Sequence, residues 1–213
     1  MLSVLMPSIN QLVTADYKSI KSVESERLIN EALKGLYSVK NPELRQISGI
    51  PGSGKSTYCA THLPQNFAMI SFDAIMLKLK GYQNALKASG AAYAYAEYEM
   101  PARIIGYELL RRAVMLRLNI MLEHSGVNEA HIELFQNLMK RGYKTSVECI
   151  VCGTDVALLR TKKRAAEINR YVPESVVLER AAKVKEYMAK YQKIATSVTF
   201  VDGEKNFIPL NKI

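Results

Sequence analysis

The 213-residue sequence predicts an α/β fold. Two helical layers enclose a central, mainly parallel sheet of five strands, and a helical extension precedes them. Three observations carry this expectation. Short apolar runs alternate with longer helical patterns, as in a parallel sheet covered on both faces. One strand-to-helix junction, Gly49-Ile50-Pro51-Gly52-Ser53-Gly54-Lys55-Ser56-Thr57, is a glycine-rich loop of the kind that cradles phosphate. The composition, 48% apolar and 23% charged, belongs to a globular chain long enough to bury a core, and excludes disordered or fibrous classes.

The elements follow in order. Over residues 16–37, Ile20, Val23, Leu28, Ile29, Leu33 and Leu36 recur at helical spacing until Gly35 and Asn41-Pro42, predicting one amphipathic helix. Residues 1–40 read as an extension and 41–213 as the main domain. Leu44 to Ser48 is the first strand, and a helix runs from the loop to about Leu63. Phe67 to Ser71 (FAMIS) is the second strand and ends at Asp73; residues 74–88 are helical, broken by Ser89-Gly90. The long helical pattern of 91–117 contains Pro101, which predicts a new helix or a kink there. Asn119 to Leu122 is the third strand, ending at Glu123. Helices at Glu129–Arg141, Asp155–Asn169 and Pro173–Lys193 alternate with strands at Lys144–Val151 and Ser197–Val201.

Cys59, Cys149 and Cys152 fit no ligand spacing with His62, His124 and His131, so they read as buried structural cysteines in a reducing compartment. Residues 1–16 lack a basic leader, and no apolar run reaches 18 residues. The expectation is a cytoplasmic protein without a membrane span.

Gly49-x-x-x-x-Gly54-Lys55-Ser56 matches the P-loop pattern, which makes the sheet that of a P-loop NTPase, three layers deep. Glycines at 49, 52 and 54 let the backbone turn and approach a phosphate chain, and the helix that follows presents its positive N-terminus. Ser53 and Thr57 complete the loop. Lys55 supplies an ammonium for the β- and γ-phosphates of ATP or GTP, and the Ser56 hydroxyl is a ligand for Mg²⁺.

Ligands of open α/β sheets sit at the carboxyl ends of strands. Asp73 and Glu123 stand there. Asp73 is placed to take a proton from an attacking hydroxyl, or else to cap the next helix. Glu123 reads as a metal or substrate carboxylate, Ser125 as a substrate contact, and His124 as a neutral loop residue. From Arg160 to Lys193 ten basic residues face four acidic ones, +6 of a total charge of +9. Arg160, Arg164 and Arg170 stand where a lid near 155–173 would close on transferring phosphate, the remaining cations forming a solvated face.

The run GIPGSGKST, a strand ending in Asp73, NIMLEHSG, an Arg-rich helix and Arg170-Tyr-Val-Pro173 together resemble the zeta toxin family of P-loop kinases. They resemble, more distantly, the kinase domain of phage polynucleotide kinase. The resemblance implies a kinase using ATP or GTP with Mg²⁺, and an acceptor such as the sugar 3′-hydroxyl of UDP-N-acetylglucosamine. It implies Lys55 and Ser56 on phosphates and metal, Asp73 as general base, Glu123 and Ser125 on substrate, and Arg164 and Arg170 on phosphate. An antitoxin protein is the partner it implies. The family's Glu-Gly-Thr is Glu123-His124-Ser125 here. Val127 stands where the family has an Arg, and Ser71 where it usually has an Asp two residues before the base. These are substrate-side positions. They leave open another nucleotide-like metabolite or a polynucleotide 5′-hydroxyl as acceptor. A non-catalytic nucleotide-binding regulator is the other class, in which Asp73 would be dispensable.

Overall fold

The computed structural model describes residues 17–211; the leader reading of residues 1–16 lies outside the described residues. Two helices, α1 (Tyr17–Ile20) and α2 (Val23–Leu33), precede strand β1 (Glu43–Ser48). The single helix expected at 16–37 is thus two, because Ser22 starts α2 with a reciprocal capping box with Ser25. Leu28 and Ile29 are buried in the main core, so this part of the extension is integral to the domain.

After β1 come α3 (Lys55–His62), β2 (Phe67–Ser71), α4 (Phe72–Lys78) and α5 (Lys80–Ser89). The expected 74–88 helix is therefore broken at Leu79, whose extended backbone (φ −72°, ψ 126°) separates α4 from α5. Helix α6 (Ala91–Met115) runs 25 residues with Pro101 inside it, so no new helix begins at the proline. Ala94, Ala102, Ile105, Leu109 and Ala113 recur at helical spacing along the buried face and hold both halves on the core. The chain continues through β3 (Asn119–Glu123), α7 (Glu129–Lys140), β4 (Lys144–Val151), α8 (Thr154–Ile168), α9 (Glu174–Ile194), β5 (Ser197–Asp202) and β6 (Ile208–Leu210).

The sheet has six strands in the order β2-β3-β1-β4-β5-β6. The first five are parallel, as expected; β6 is an antiparallel edge that the sequence reading omits. Side chains alternate between two unequal layers. Leu44, Ile120, Leu122, Val147 and Cys149 enter the larger core beneath α6, α7 and α9. Ile47, Met121 and Ile150 meet Tyr58 and Cys59 of α3 on the opposite face. Pairing aligns Ser71 with Glu123 and Glu123 with Ile47, so β2, β3 and β1 end level. That shared edge carries the site. Cys59 and Cys149 are buried as expected, whereas Cys152 lies one residue past β4 and is half-exposed. No helix among the described residues is long and apolar enough to cross a membrane.

Candidate active site

One cleft of about 1120 Å³, including its open mouth, lies over the carboxyl ends of β1, β2 and β3. Gly52, Gly54, Lys55, Ser56 and Thr57 line it, with Asp73, Glu123, Ser125, Arg164 and Arg170.

The loop between β1 and α3 is shaped by the protein's own backbone. Gly52 (φ +90°) lies against α8, and a Cβ there would come 2.4 Å from the Ala157 carbonyl oxygen. A Cβ on Gly49 (φ +136°) would come 2.5 Å from the Ile150 carbonyl oxygen. The close approach that demands glycine at these two positions is therefore to β4 and α8, in addition to any phosphate. Ser53 is fully buried, and its amide donates to the Ile50 carbonyl at 3.1 Å. The Gly49 amide donates to the Ser125 carbonyl at 3.4 Å, tying this loop to the one after β3.

Lys55 Nζ donates to the carbonyls of Gly49 and Ile50, both at 2.9 Å. Burial lowers its pKa below the usual lysine value, and the carboxylates of Glu123 and Asp73 oppose that shift. Ser56 Oγ donates to Glu123 Oε1 at 2.6 Å, and Ser71 Oγ donates to Glu123 Oε2 at 2.7 Å. The two serines thus fix the Glu123 carboxylate at the foot of the loop.

Asp73 lies in the first turn of α4, but it is not the cap. Ser71 caps the helix, accepting from the Ala74 amide at 3.4 Å. The Asp73 carboxylate is free to face the cleft, where Arg170 Nη2 donates to its Oδ2 at 2.6 Å. The same guanidinium reaches Ser56 Oγ at 3.3–3.4 Å. Asn169 presents Arg170: its left-handed backbone (φ 54°) ends α8, and its carbonyl accepts from Tyr82 of α5 at 3.2 Å.

Arg164, six residues earlier and within α8, lines the cleft with Arg170. Burial depresses its pKa, and the neighbouring Arg170 charge adds to that. The Nε atoms of Arg164 and Arg170 are buried without a hydrogen-bond partner. Arg160 is different. Its Nη1 donates to the carbonyls of Gly203 at 3.0 Å and Gly52 at 3.4 Å, pinning the loop to the turn after β5. It lies outside the cleft lining.

His124 is, as expected, a residue of the loop after β3, and it is buried. It stacks on His131 with ring centroids 3.7 Å apart, and its Nδ1 accepts from the Gly126 amide at 3.1 Å. His131 Nδ1 lies 2.9 Å from Gln46 Oε1, and its Nε2 lies 3.2 Å from the Tyr107 hydroxyl. Burial holds both imidazoles neutral, with the His131 pKa pushed down to about 3. Tyr95, Arg103 and Arg180 also line the cleft. No motif announces them; Arg180 appears in the sequence only as one cation of a basic run, and α6 and α9 bring these side chains in through tertiary packing.

The zeta toxin family model matches residues 28–208. No curated protein matches the chain. Among solved structures, the chain is similar to one in the PezAT chromosomal toxin–antitoxin system of Streptococcus pneumoniae. There the identity is 17% and the TM-score 0.69, covering 88% of this chain and 80% of that one. It is similar to a chain of the AvrRxo1-ORF1:ORF2 complex at 13% identity and TM-score 0.63, covering 89% and 67%. It is similar to a chain of the Pnkp1/Rnl/Hen1 RNA repair complex at 14% identity and TM-score 0.50, covering 84% and half of that chain. These structural likenesses concern the fold, while the sequence match spans most of the chain, a range that includes the phosphate loop, Asp73, Glu123, Arg164 and Arg170. The chain belongs to the zeta toxin family and has its P-loop kinase fold.

Proposed function

We propose that this protein is a kinase that transfers the γ-phosphate of ATP or GTP to a hydroxyl of a small acceptor resembling a nucleotide sugar. The carrying observation is the convergence of Lys55, Ser56, Asp73, Glu123, Arg164 and Arg170 in one cleft over the strand ends. In this reading the triphosphate lies along residues 49–57 at the N-terminus of α3, where backbone amides and the helix dipole favour anions. Lys55 leaves its loop carbonyls for the β- and γ-phosphates.

Asp73 receives the proton of the acceptor hydroxyl as that oxygen bonds to the γ-phosphorus. The bond from the γ-phosphorus to the β–γ bridging oxygen breaks, and its electron pair leaves on the nucleoside diphosphate. Arg170 orients the Asp73 carboxylate before the reaction and, with Arg164, stabilises the charge on the transferred oxygens. An unmet buried donor costs about 1–3 kcal/mol. Bound phosphate would give the two unpaired Nε atoms partners, which favours these arginines as phosphate ligands.

The Ser56 hydroxyl and Glu123 carboxylate, hard oxygen donors 2.6 Å apart, suit Mg²⁺. The ion would neutralise phosphate charge. Ser125, half-buried beside Glu123, would contact the acceptor. The segment 155–173 would act as the lid through Arg164 and Arg170. An antitoxin protein is the proposed partner, supported by the toxin–antitoxin setting of the PezAT structure.

The test is transfer of label from γ-labelled ATP and GTP, with Mg²⁺, to UDP-N-acetylglucosamine, NAD, nucleosides and 5′-hydroxyl oligonucleotides. Label on a small nucleotide-like acceptor is the expected result. Label on the oligonucleotide alone would replace this acceptor class with a polynucleotide. Nucleotide binding with no transfer to any acceptor would favour a regulator.

A further inference from the structure

We infer that the end of the molecule opposite the cleft is a docking surface for an anionic lipid bilayer. Exposed apolar side chains enter the headgroup layer there, and lysines and arginines meet the lipid phosphates. This goes beyond the kinase reading and does not depend on it.

The five parallel strands all begin at this end, so the connections that enter them share it. With their flanking residues, these connections are 34–42, 63–66, 115–118, 139–144 and 193–196. Hydrogen bonds lace the first four into one surface. The Val39 amide donates to the Arg117 carbonyl at 3.0 Å, and the Lys144 amide to the Pro42 carbonyl at 2.9 Å. Arg117 donates to the carbonyls of Lys40 at 2.7 Å and Arg141 at 3.3 Å. The Tyr37 amide donates to Asn66 Oδ1 at 2.9 Å, and Asn66 Nδ2 donates back to the Tyr37 carbonyl at 3.1 Å. The five segments hold seven lysines and arginines and no aspartate or glutamate. They also carry five exposed large apolar side chains, Tyr37, Leu63, Met115, Leu116 and Met139, with Met115 65% and Leu116 52% exposed.

Cations near helix C-termini complement the helix dipole, and single exposed apolar residues are ordinary. Neither accounts for the two together without one carboxylate among them. On α8 and α9 the arrangement differs: Lys162, Lys163, Lys183 and Lys190 each pair with a glutamate. A nucleic-acid backbone would use the cations of the opposite end but gain nothing from Met115 or Leu116. An anionic bilayer uses both. Each cation near the surface adds about fivefold in affinity, and the apolar side chains leave water for the acyl boundary. The cleft lies over the carboxyl ends of the same strands, so docking here leaves it open to solvent.

The test is flotation of the full chain with vesicles of phosphatidylcholine alone, and of phosphatidylcholine with an equal part of phosphatidylglycerol. The expected result is binding to the mixed vesicles, weakened by salt, and little to the neutral ones. Met115→Ser with Leu116→Ser should weaken it about tenfold or more. Lys140→Gln with Lys144→Gln should weaken it about 25-fold, at fivefold per charge. Lys162→Gln with Lys163→Gln removes the same charge from α8 and should leave binding within about twofold. All of these side chains are exposed, so thermal unfolding of each variant should match wild type and serves as the folding control. No binding of wild type to the mixed vesicles overturns the inference. So does an equal loss in the α8 variant, or binding unmoved in the serine variant. Binding to a duplex oligonucleotide in place of vesicles, kept in the serine variant, would overturn it in favour of nucleic acid. Self-association of the free chain that the serine variant abolishes, without vesicle binding, would overturn it in favour of a second copy.

Discussion

Replacing Gly52 with alanine probes the link between the phosphate loop and α8. The added Cβ would sit 2.4 Å from the Ala157 carbonyl oxygen, whereas even tight contacts begin near 3.0–3.4 Å. Loop and helix must part by about 0.6–1.0 Å. Ala157 is fully buried with Ile50 and Val177, so the strain passes into α8, the helix that carries Arg164. A displacement of about 1 Å in a positioning group costs roughly 10²-fold in rate. The left-handed φ of +90° adds about 1–2 kcal/mol of instability. Gly35→Ala separates the two effects. Gly35 has a similar φ of +77°, with nothing within 4 Å of an added Cβ. It should lose the same 1–2 kcal/mol, about 2–8 °C in Tm, and keep full activity. Thermal unfolding and transfer of label from γ-labelled nucleotide to the acceptor measure both variants. The reasoning is refuted if Gly52→Ala turns over like wild type, or if Gly35→Ala loses activity to the same extent.

Three further outcomes are expected. Glu26 accepts from Arg112 at 2.7 and 2.8 Å and from Tyr17 at 2.7 Å, and these bonds, Arg112 first, lower its pKa to about 2. Its folded pKa is below the unfolded value, so its contribution is full above about pH 4.5 and is lost as pH falls toward 2. Glu26→Gln should cost about 1 kcal/mol at pH 7, allowing for solvent screening, and converge with wild type near pH 2 in urea titrations; a constant gap would contradict this. His131, held neutral first by burial and then by Arg103 and Arg180, must gain a proton on unfolding below pH 6.5. Wild-type stability should therefore fall between pH 6.5 and 3, by up to about 1.4 kcal/mol per pH unit for this group. His131→Gln should be less stable at pH 8 yet flatter over that range, and parallel curves would exclude the assignment. Burial pushes the thiols of Cys59 and Cys149 up to about 12, and Cys152 to about 11. In native protein a thiol reagent should modify Cys152 alone, and slowly, with the other two reacting only after denaturation; mass spectrometry of the labelled peptides decides it.

The parallel strands were legible because strands buried on both faces are nearly continuous apolar runs, as in FAMIS. Strand β6 was not, since Ile208-Pro209-Leu210 is three residues long and contains a proline that only an edge tolerates. The break at Leu79 carries no glycine or proline and shows only in the backbone. Pro101 misleads in the other direction: buried residues before and after it hold α6 together despite the lost hydrogen bond. At the site, the loop, Asp73 and Glu123 were readable because backbone geometry and charge at strand ends restrict residue type. Arg164 and Arg170 were readable through their density and position. Arg160 shares their chemistry but spends it on the Gly52 and Gly203 carbonyls, a distinction that only folding reveals. Arg103, Arg180 and His124 reach one cleft from α6, α9 and the loop after β3, beyond the reach of local pattern.

The most direct measurement is single-turnover transfer from γ-labelled nucleotide by wild type and Asp73→Asn, with nucleotide affinity determined on the same preparations. Unchanged folding, affinity within about threefold of wild type, and transfer slowed by about 10²–10⁴-fold are expected. Transfer at the wild-type rate in Asp73→Asn would contradict it, and would remove Asp73 as the group that takes the acceptor's proton.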